Sequence, residues 1–470
     1  MFLLRQYLKG GYVMNTTNKT ASENGILGFT ELWALGVGQV IGAGVITLIG
    51  PAIGLTGYSV WLAYFVAVLL GAATNLPLII FSSVTKYSGG DYSIITMLGG
   101  EKIGGMFIVG FILQMLAMSL YVTAIGLYTE SLFPAVNGKM VGLILLVLFY
   151  IVNMFGVANM AKFQKVMSAL LVVVLLMFGI VGLIKGNFSS SIAIASKQFF
   201  SNGFTGFWSA VMLLVYSCQG YKLTVMYGGQ AKEPTKNMPR ALLAVIPVIL
   251  VIYTLVAFAD VSILPLDQVI NKPLTLAAKA ILPSALFIIF IIGGPIMALL
   301  TTLNSTYGAM VGPFEKAAKD GWFPAGLAKK NKYGAAVVIL TIELIIGVIP
   351  VLLNFSVATI VNNIMLITSV YQFLLYYSLL QVPKKMPSKW SHATMHCNNA
   401  VYYGIIILAA FFQILILYKS IKNLTPAVAI TNIAVLLICF IYAVVRHNLG
   451  KTHIDTEGML ELTDTNYKEV

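Results

Sequence analysis

The chain has 470 residues, 59% of them hydrophobic and only 10% charged, whereas a soluble domain carries about 25% charged residues. Twenty-nine Lys and Arg against sixteen Asp and Glu give a formal charge of +13, and the mean hydropathy is +0.90. These values exclude a soluble enzyme, a disordered scaffold and a secreted disulfide protein, and they describe an all-α polytopic membrane protein.

Residues 1–27 read as a cytoplasmic N-terminal segment. The first apolar run is too long for a cleavable signal peptide, and a basic prelude leaves both Met1 and Met14 open as the start. A spanning helix needs about 20 mostly apolar residues. Twelve stretches meet that need: 29–53, 58–82, 104–133, 139–156, 161–185, 204–228, 240–264, 284–312, 334–354, 357–381, 400–420 and 426–446. The connections are short and polar, so one transmembrane domain covers 28–446. The tail 447–470 holds five of the sixteen acidic residues and reads as a disordered cytoplasmic segment.

Basic residues fix the orientation, because short cytoplasmic loops collect Lys and Arg. With a cytoplasmic N-terminus, 21 of the 29 lie inside and seven outside, and Lys222 is left within span 6. Both termini are therefore expected on the cytoplasmic side of the cell membrane. The charges follow the loops, which argues for topology and against nucleic-acid binding. Cys218, Cys397 and Cys439 lack the close spacing of a metal or redox site, and no cofactor or metal is expected.

Two spans break the helical habit. In span 1, Gly36, Gly38, Gly42, Ala43, Gly44 and Gly50-Pro51 lie within sixteen residues, and in span 6 Ser217-Cys218-Gln219-Gly220 interrupts an apolar run. Glycine costs about 1 kcal/mol against alanine inside a helix. An unwound segment exposes helix amides that bind a carboxylate and carbonyls that bind an ammonium group. Breaks five spans apart point to an inverted-repeat transporter with a midplane site. The other reading is that the span 1 glycines serve only close helix packing.

Three motifs carry a resemblance. They are Ala34-Leu35-Gly36-Val37-Gly38-Gln39-Val40-Ile41-Gly42-Ala43-Gly44-Val45-Ile46 in span 1, Ala231-Lys232-Glu233-Pro234-Thr235-Lys236-Asn237-Met238-Pro239-Arg240-Ala241 after span 6, and Ala318-Lys319-Asp320-Gly321-Trp322-Phe323-Pro324 after span 8. In this order the chain resembles the amino acid–polyamine–organocation (APC) superfamily of transporters, of bacterial amino-acid permease type. The resemblance implies a 5+5 inverted-repeat, LeuT-like fold of twelve helices with helices 1 and 6 interrupted. Repeat one would cover about 28–185 and repeat two about 204–381, with helices 11 and 12 outside, about 400–446. It also implies that the amides of Gly42, Ala43 and Gly44 hold a substrate carboxylate. The carbonyls of Val40, Ile41, Tyr216, Ser217 and Gln219 would hold its ammonium group, with Tyr216 as an aromatic gate.

Ionisable residues inside spans are functional candidates. The four histidines, His392, His396, His447 and His453, lie in cytoplasmic segments or at a span end, and Glu343 is the one acid well inside a span. Glu31, Glu130 and Asp260 sit near ends. Glu343, in span 9, reads as structural. Lys222 either places a positive charge near the site or snorkels to the cytoplasm, about 10 Å away at 1.5 Å per residue. Relatives that carry a lysine in span 5 align it with Leu171 here. The breaks hold no acidic residue, which argues against cationic substrates and metal ions. Neutral amino acids come first, and acidic ones second.

The polar run Thr301, Thr302, Asn304 and Ser305 in span 8 either faces the site or bonds back to its own helix. Gln114 and Tyr121, seven residues apart in span 3, are expected to line one face of the pathway. The expected function is secondary active transport of amino acids by alternating access, as a proton-coupled symporter or an exchanger. A sodium ion is the other coupling candidate. Alternatives are an antiporter of acidic amino acids or derived metabolites, and a non-transporting sensor. A channel would need a continuous polar pore, and an enzyme a catalytic pair. The partners are then a small amino acid, a coupling ion and the lipid bilayer. The oligomeric state is open.

Overall fold

The computed structural model describes residues 25–461 except Ala43, Ser356 and 423–425. In lipid the backbone has no outside hydrogen-bond partner, so apolar runs close on themselves as helices. In chain order, α1 is Phe29–Val40, α2 Gly44–Thr47, α3 Ile49–Thr56, α4 Val60–Phe81, α5 Gly90–Ile94 and α6 Glu101–Phe111. Then come α7 Ala117–Leu132, α8 Gly138–Met154, α9 Val157–Lys185, α10 Gly203–Val215, α11 Tyr221–Val225 and α12 Pro234–Ile263. Two short helices follow, α13 Leu266–Val269 and α14 Thr275–Ile281. The rest are α15 Ser284–Ile291, α16 Met297–Lys319, α17 Val337–Leu352, α18 Val357–Leu379, α19 Val382–Lys385, α20 Pro387–His392, α21 Asn399–Lys422, α22 Pro426–Asn448 and α23 Thr456–Glu461.

Eight stretches among the described residues are long and apolar enough to cross a membrane: Phe29–Thr47, Ile49–Phe81, Glu101–Glu130, Val157–Lys185, Pro234–Ile263, Ser284–Lys319, Asn399–Tyr418 and Val428–Asn448. Three shorter apolar helices, Gly138–Met154, Val337–Leu352 and Leu366–Leu379, fall where spans 4, 9 and 10 are expected. Residues 204–228 form no single long helix, because α10 and α11 are separated by a 3₁₀ turn at Tyr216–Cys218. The protein is therefore a polytopic, helical membrane protein. Its outer faces are apolar, as lipid requires: Ile184 is 76% exposed, Ile407 65% and Ile438 64%.

Breaks in the ladder have local causes. Pro295 lies in the π-helical stretch Ile292–Ile296 that joins α15 to α16, because proline removes a ladder donor. A 3₁₀ stretch, Ile112–Leu116, joins α6 to α7.

Two connections differ from the polar loops expected. Residues 82–100 carry α5 and a π turn at Ile95–Gly99, and Asp91, Tyr92 and Met97 are buried. The C-terminal segment also packs rather than standing free. The His453 amide donates to the Asp320 carbonyl at 2.9 Å, the Thr456 hydroxyl to Glu101 at 2.9 Å, and the Lys389 amine to the Leu460 carbonyl. At the other end, Leu27 pairs with Ala231 in an isolated parallel bridge, with the Lys232 amide donating to the Leu27 carbonyl at 2.8 Å.

α1 lies at the centre, against α9, α12 and α16, while α4 packs on α10, α12 and α21. The breaks in α1–α2 and α10–α11 therefore sit inside the bundle.

Candidate functional site

The first break begins at Val40. Ile41 has φ −80° and ψ 80°, the dihedrals of an inverse γ-turn, and the Gly42 amide closes it by donating to the Val40 carbonyl at 2.9 Å. Ile41 itself is buried, with its amide on the Val37 carbonyl at 2.8 Å. Ala43 lies outside the described residues, and helix resumes at Gly44.

The second break is pressed against the first. A Cβ added at Gly44 would lie 2.5 Å from the Ser217 Cβ, and one added at Gly220 would run into the Gln39 carbonyl. Only glycine lets the two chains approach this closely. Tyr253 of α12 then ties them together. Its hydroxyl lies 2.8 Å from the Val40 carbonyl and 3.2 Å from the Ser217 carbonyl, sharing its proton between one acceptor in each break. Tyr64 packs edge-on against Tyr253, with centroids 5.0 Å apart, and donates to the Gly44 carbonyl at 3.5 Å.

The site residues expected from sequence fall into three groups. Val40, Gly42, Gly44, Ser217 and Ile41 meet at the paired breaks. Tyr216 stands at their edge, 41% exposed, with Tyr121 beside it, and Tyr121 in turn meets the Thr306 hydroxyl. Gln219 turns away toward α4, its amide 3.4 Å from the Thr74 hydroxyl and its oxygen 3.5 Å from the Asn75 amide.

Gln114 and Tyr121 make separate contacts. Gln114 donates to the Thr368 hydroxyl at 2.7 Å, on α18, while Tyr121 neighbours Tyr216. Gln114 lies in the 3₁₀ stretch Ile112–Leu116 and Tyr121 in α7.

The polar run of α16 does both things considered for it. Thr301, Ser305 and Thr306 bond back to their own helix, whereas Thr302 also donates to the Gly38 carbonyl at 3.0 Å. Asn304 donates to Gln164 at 2.9 Å, and Ser168 donates to the Ala34 carbonyl at 2.8 Å. Span 5 thus presents Gln164 and Ser168 to span 1, and Leu171 is buried one turn further along.

The remaining charges lie off this centre. Glu31 pairs with Lys165 at 3.2 Å, Glu130 accepts from the Gly138 amide at 3.0 Å, and Asp260 is buried near the end of α12. Glu343 is wholly buried beside Tyr227 and Tyr307, and neither carboxyl oxygen has a hydrogen-bond partner. Lys222 follows the second break on α11, half-buried, with Asp91 as its charged neighbour. Among the described residues no group of three His, Cys, Asp or Glu could hold a metal ion.

Sequence reasoning missed Tyr253, Tyr64, Gln39 and Asn75. Gln39 was visible as a polar residue within span 1; it is buried, its amide 3.3 Å from the Thr306 hydroxyl and its oxygen without a partner. A tyrosine in an apolar helix offers no such mark.

Comparison with known proteins bears out the superfamily resemblance. A family described as "Amino acid permease" matches residues 27–447. The chain is 24% identical over 356 residues to the probable threonine/serine transporter YbxG of Bacillus subtilis (strain 168), covering 72% of this chain and 74% of that protein. It is 24% identical over 301 residues to the serine/threonine exchanger SteT of the same organism, covering 62% and 66%. It is also 24% identical over 266 residues to the branched-chain amino acid permease BcaP of Lactococcus lactis subsp. cremoris (strain MG1363), covering 52% and 57%.

Proposed function

The chain belongs to the amino acid permease family, and from that premise we propose that it is a secondary active transporter moving neutral amino acids by alternating access. The observation that carries this reading is the pairing of the two breaks, Gly44 on Ser217 and Gly220 on Gln39, under the single hydroxyl of Tyr253. Twelve spans with both termini cytoplasmic complete the reading.

Packing supports the inverted repeat. α1 lies against α12 as α10 lies against α4, which are spans 1 on 7 and 6 on 2. α9 packs on α16 as α18 packs on α7, which are spans 5 on 8 and 10 on 3. α8 on α7 and α17 on α16 complete the set, spans 4 on 3 and 9 on 8. Adding or subtracting five turns one member of each pair into the other.

The γ-turn gives the substrate a defined task. Its bond from the Gly42 amide to the Val40 carbonyl joins one group meant for a carboxylate to one meant for an ammonium. A zwitterion replaces that internal bond with two charge-assisted ones, which are roughly twice as strong as neutral bonds. Burying both charges is costly unless each finds partners, and the backbone supplies them without a charged side chain. In this reading the Ile41, Tyr216, Ser217 and Gln219 carbonyls take the ammonium group, the Gly44 amide joins that of Gly42 on the carboxylate, and Tyr216 with Tyr121 covers the substrate.

Neutral substrates fit breaks that hold no acidic residue, and the relatives named above are described as threonine/serine and branched-chain transporters. The test is uptake of labelled serine, threonine, leucine, glutamate and lysine into proteoliposomes. It is run with and without internal amino acid, and with an imposed proton or sodium gradient. We expect uptake of neutral amino acids, driven either by internal substrate as exchange or by the proton gradient as symport. Uptake of lysine alone, or of none, overturns the reading.

A further inference from the structure

We propose that Asp91 and Lys222 form the cytoplasmic gate of the transport path, their attraction holding the inner half of the broken helix against the connection that follows α4. The proposal rests on the transport reading above and adds a residue that no motif identified.

The connection is built to reach α11. The Tyr87 hydroxyl donates to the Val225 carbonyl at 3.2 Å, and Gly228 and Gly229 lie against Tyr87 and Ser88. Gly89 and Gly90 have φ of 91° and 55°, which side-chain-bearing residues rarely adopt. A Cβ at Gly90 would lie 3.0 Å from the Met226 Cα. This turn starts α5 with Asp91 pointing inward, 4% exposed and with Oδ1 lacking any hydrogen-bond partner.

The other charged or titratable groups around Asp91 are engaged. Lys316 of α16 lies over Gly89 but pairs with Asp320, which also accepts from Tyr92. Glu101 of α6 accepts from Thr456, and Tyr376 of α18 donates to the Thr74 carbonyl. Tyr87 faces Asp91 but is bound to Val225. Lys222 lies one helical turn before Met226, the residue whose Cα Gly90 faces, so Asp91 and Lys222 sit on the same contact between the connection and α11 without forming an ion pair within 4.0 Å. A buried carboxylate needs a partner, and here the partner rides on the short helix that alternating access must move.

The gate is also proton-sensitive. Burial pushes the Asp91 carboxyl up to about 6, with Lys222 opposing the rise. Above that pH the ionised carboxylate attracts Lys222, and below it the attraction is lost.

The native thiol of Cys218, fully buried in the second break, reports the gate's state. In a Cys397→Ala, Cys439→Ala background, inside-out vesicles are treated with an impermeant maleimide. Asp91→Asn and Lys222→Gln should each raise the rate of Cys218 modification about tenfold, within the range of ordinary coupling between sites. The exchange Asp91→Lys with Lys222→Asp should restore it to within about twofold. Because the thiolate fraction falls with pH in every variant, wild-type labelling is read relative to Asp91→Asn at the same pH, and that ratio should rise toward one as the pH falls through 6. Unchanged labelling in both single variants, or a swapped pair as open as either single, overturns the gate. The labelling needs no substrate, so its failure is distinct from failure of the transport reading.

Discussion

The Tyr253 hydroxyl lies 2.8 Å from the Val40 carbonyl, and the same oxygen is 3.2 Å from the carbonyl of Ser217. Val40 ends the first half of one broken helix and Ser217 lies in the break of the other, so one side chain from α12 holds two otherwise separate unwound segments in register. On the proposed reading, a substrate ammonium arriving at either carbonyl shares it with this phenol.

Tyr253→Phe should leave the protein folded, because the ring and its edge-on contact with Tyr64 remain. A lost hydrogen bond costs about 0.5–1.5 kcal/mol, which predicts a modest fall in melting temperature. Transport should lose far more through KM than through insertion into the membrane. Kinetics of labelled-substrate uptake alongside thermal unfolding in detergent separates the two. An unchanged KM would remove Tyr253 from the site.

Gly42 and Gly44 should respond differently to alanine. A Cβ at Gly42 would meet the Thr302 hydroxyl at 3.4 Å, whereas one at Gly44 would lie 2.5 Å from the Ser217 Cβ and 3.2 Å from its Cα. Overpacking of the second kind costs about 1–3 kcal/mol. Gly44→Ala should abolish uptake while the protein still reaches the membrane, and Gly42→Ala should retain a measurable rate. Equal activity in the two would contradict the close approach of the breaks.

Glu343 is a buried carboxyl whose two oxygens have no partners. An unsatisfied polar group in protein costs about 1–3 kcal/mol. Glu343→Met should therefore raise thermal stability and leave the rate and pH profile of uptake unchanged. A flattened pH profile would show instead that the cycle uses this proton.

The contact between span 1 and span 5 can be tested as a pair. A Cβ at Gly38 would strike the Gln164 amide and come within 2.9 Å of the Thr301 Cβ. Gly38→Ala should destabilise, and Gln164→Ala should recover part of the loss in the double variant. Additive effects in unfolding measurements would show that the two residues do not meet, since contacting residues couple by about 0.5–3 kcal/mol.

Hydropathy made most of the membrane helices legible, because the bilayer demands long apolar runs wherever they occur. The breaks were legible too, since the Gly36–Gly44 cluster and Ser217–Gly220 violate a strong local rule. What local pattern could not show is what those breaks touch. Tyr253 sits in an apolar helix with nothing at helical spacing to name Val40 or Ser217 as its partners. Asp91 looks like a loop residue, and its burial comes from a glycine turn folded against Met226, more than 130 positions later in the chain. Nor could sequence spacing show that Gln114 reaches across to Thr368 of α18.

The bridge between Leu27 and Ala231 has a consequence for biosynthesis. The segment just before α1 is made ahead of every membrane helix described, but the residue it pairs with emerges only after α1 to α11 have left the ribosome. Until then the Gly25–Gly28 backbone has no native seat, and a chain stalled before residue 231 cannot close this end of the molecule. Truncated nascent chains should therefore stay open to cleavage ahead of Phe29, with protection arriving in one step once the loop after α11 is available.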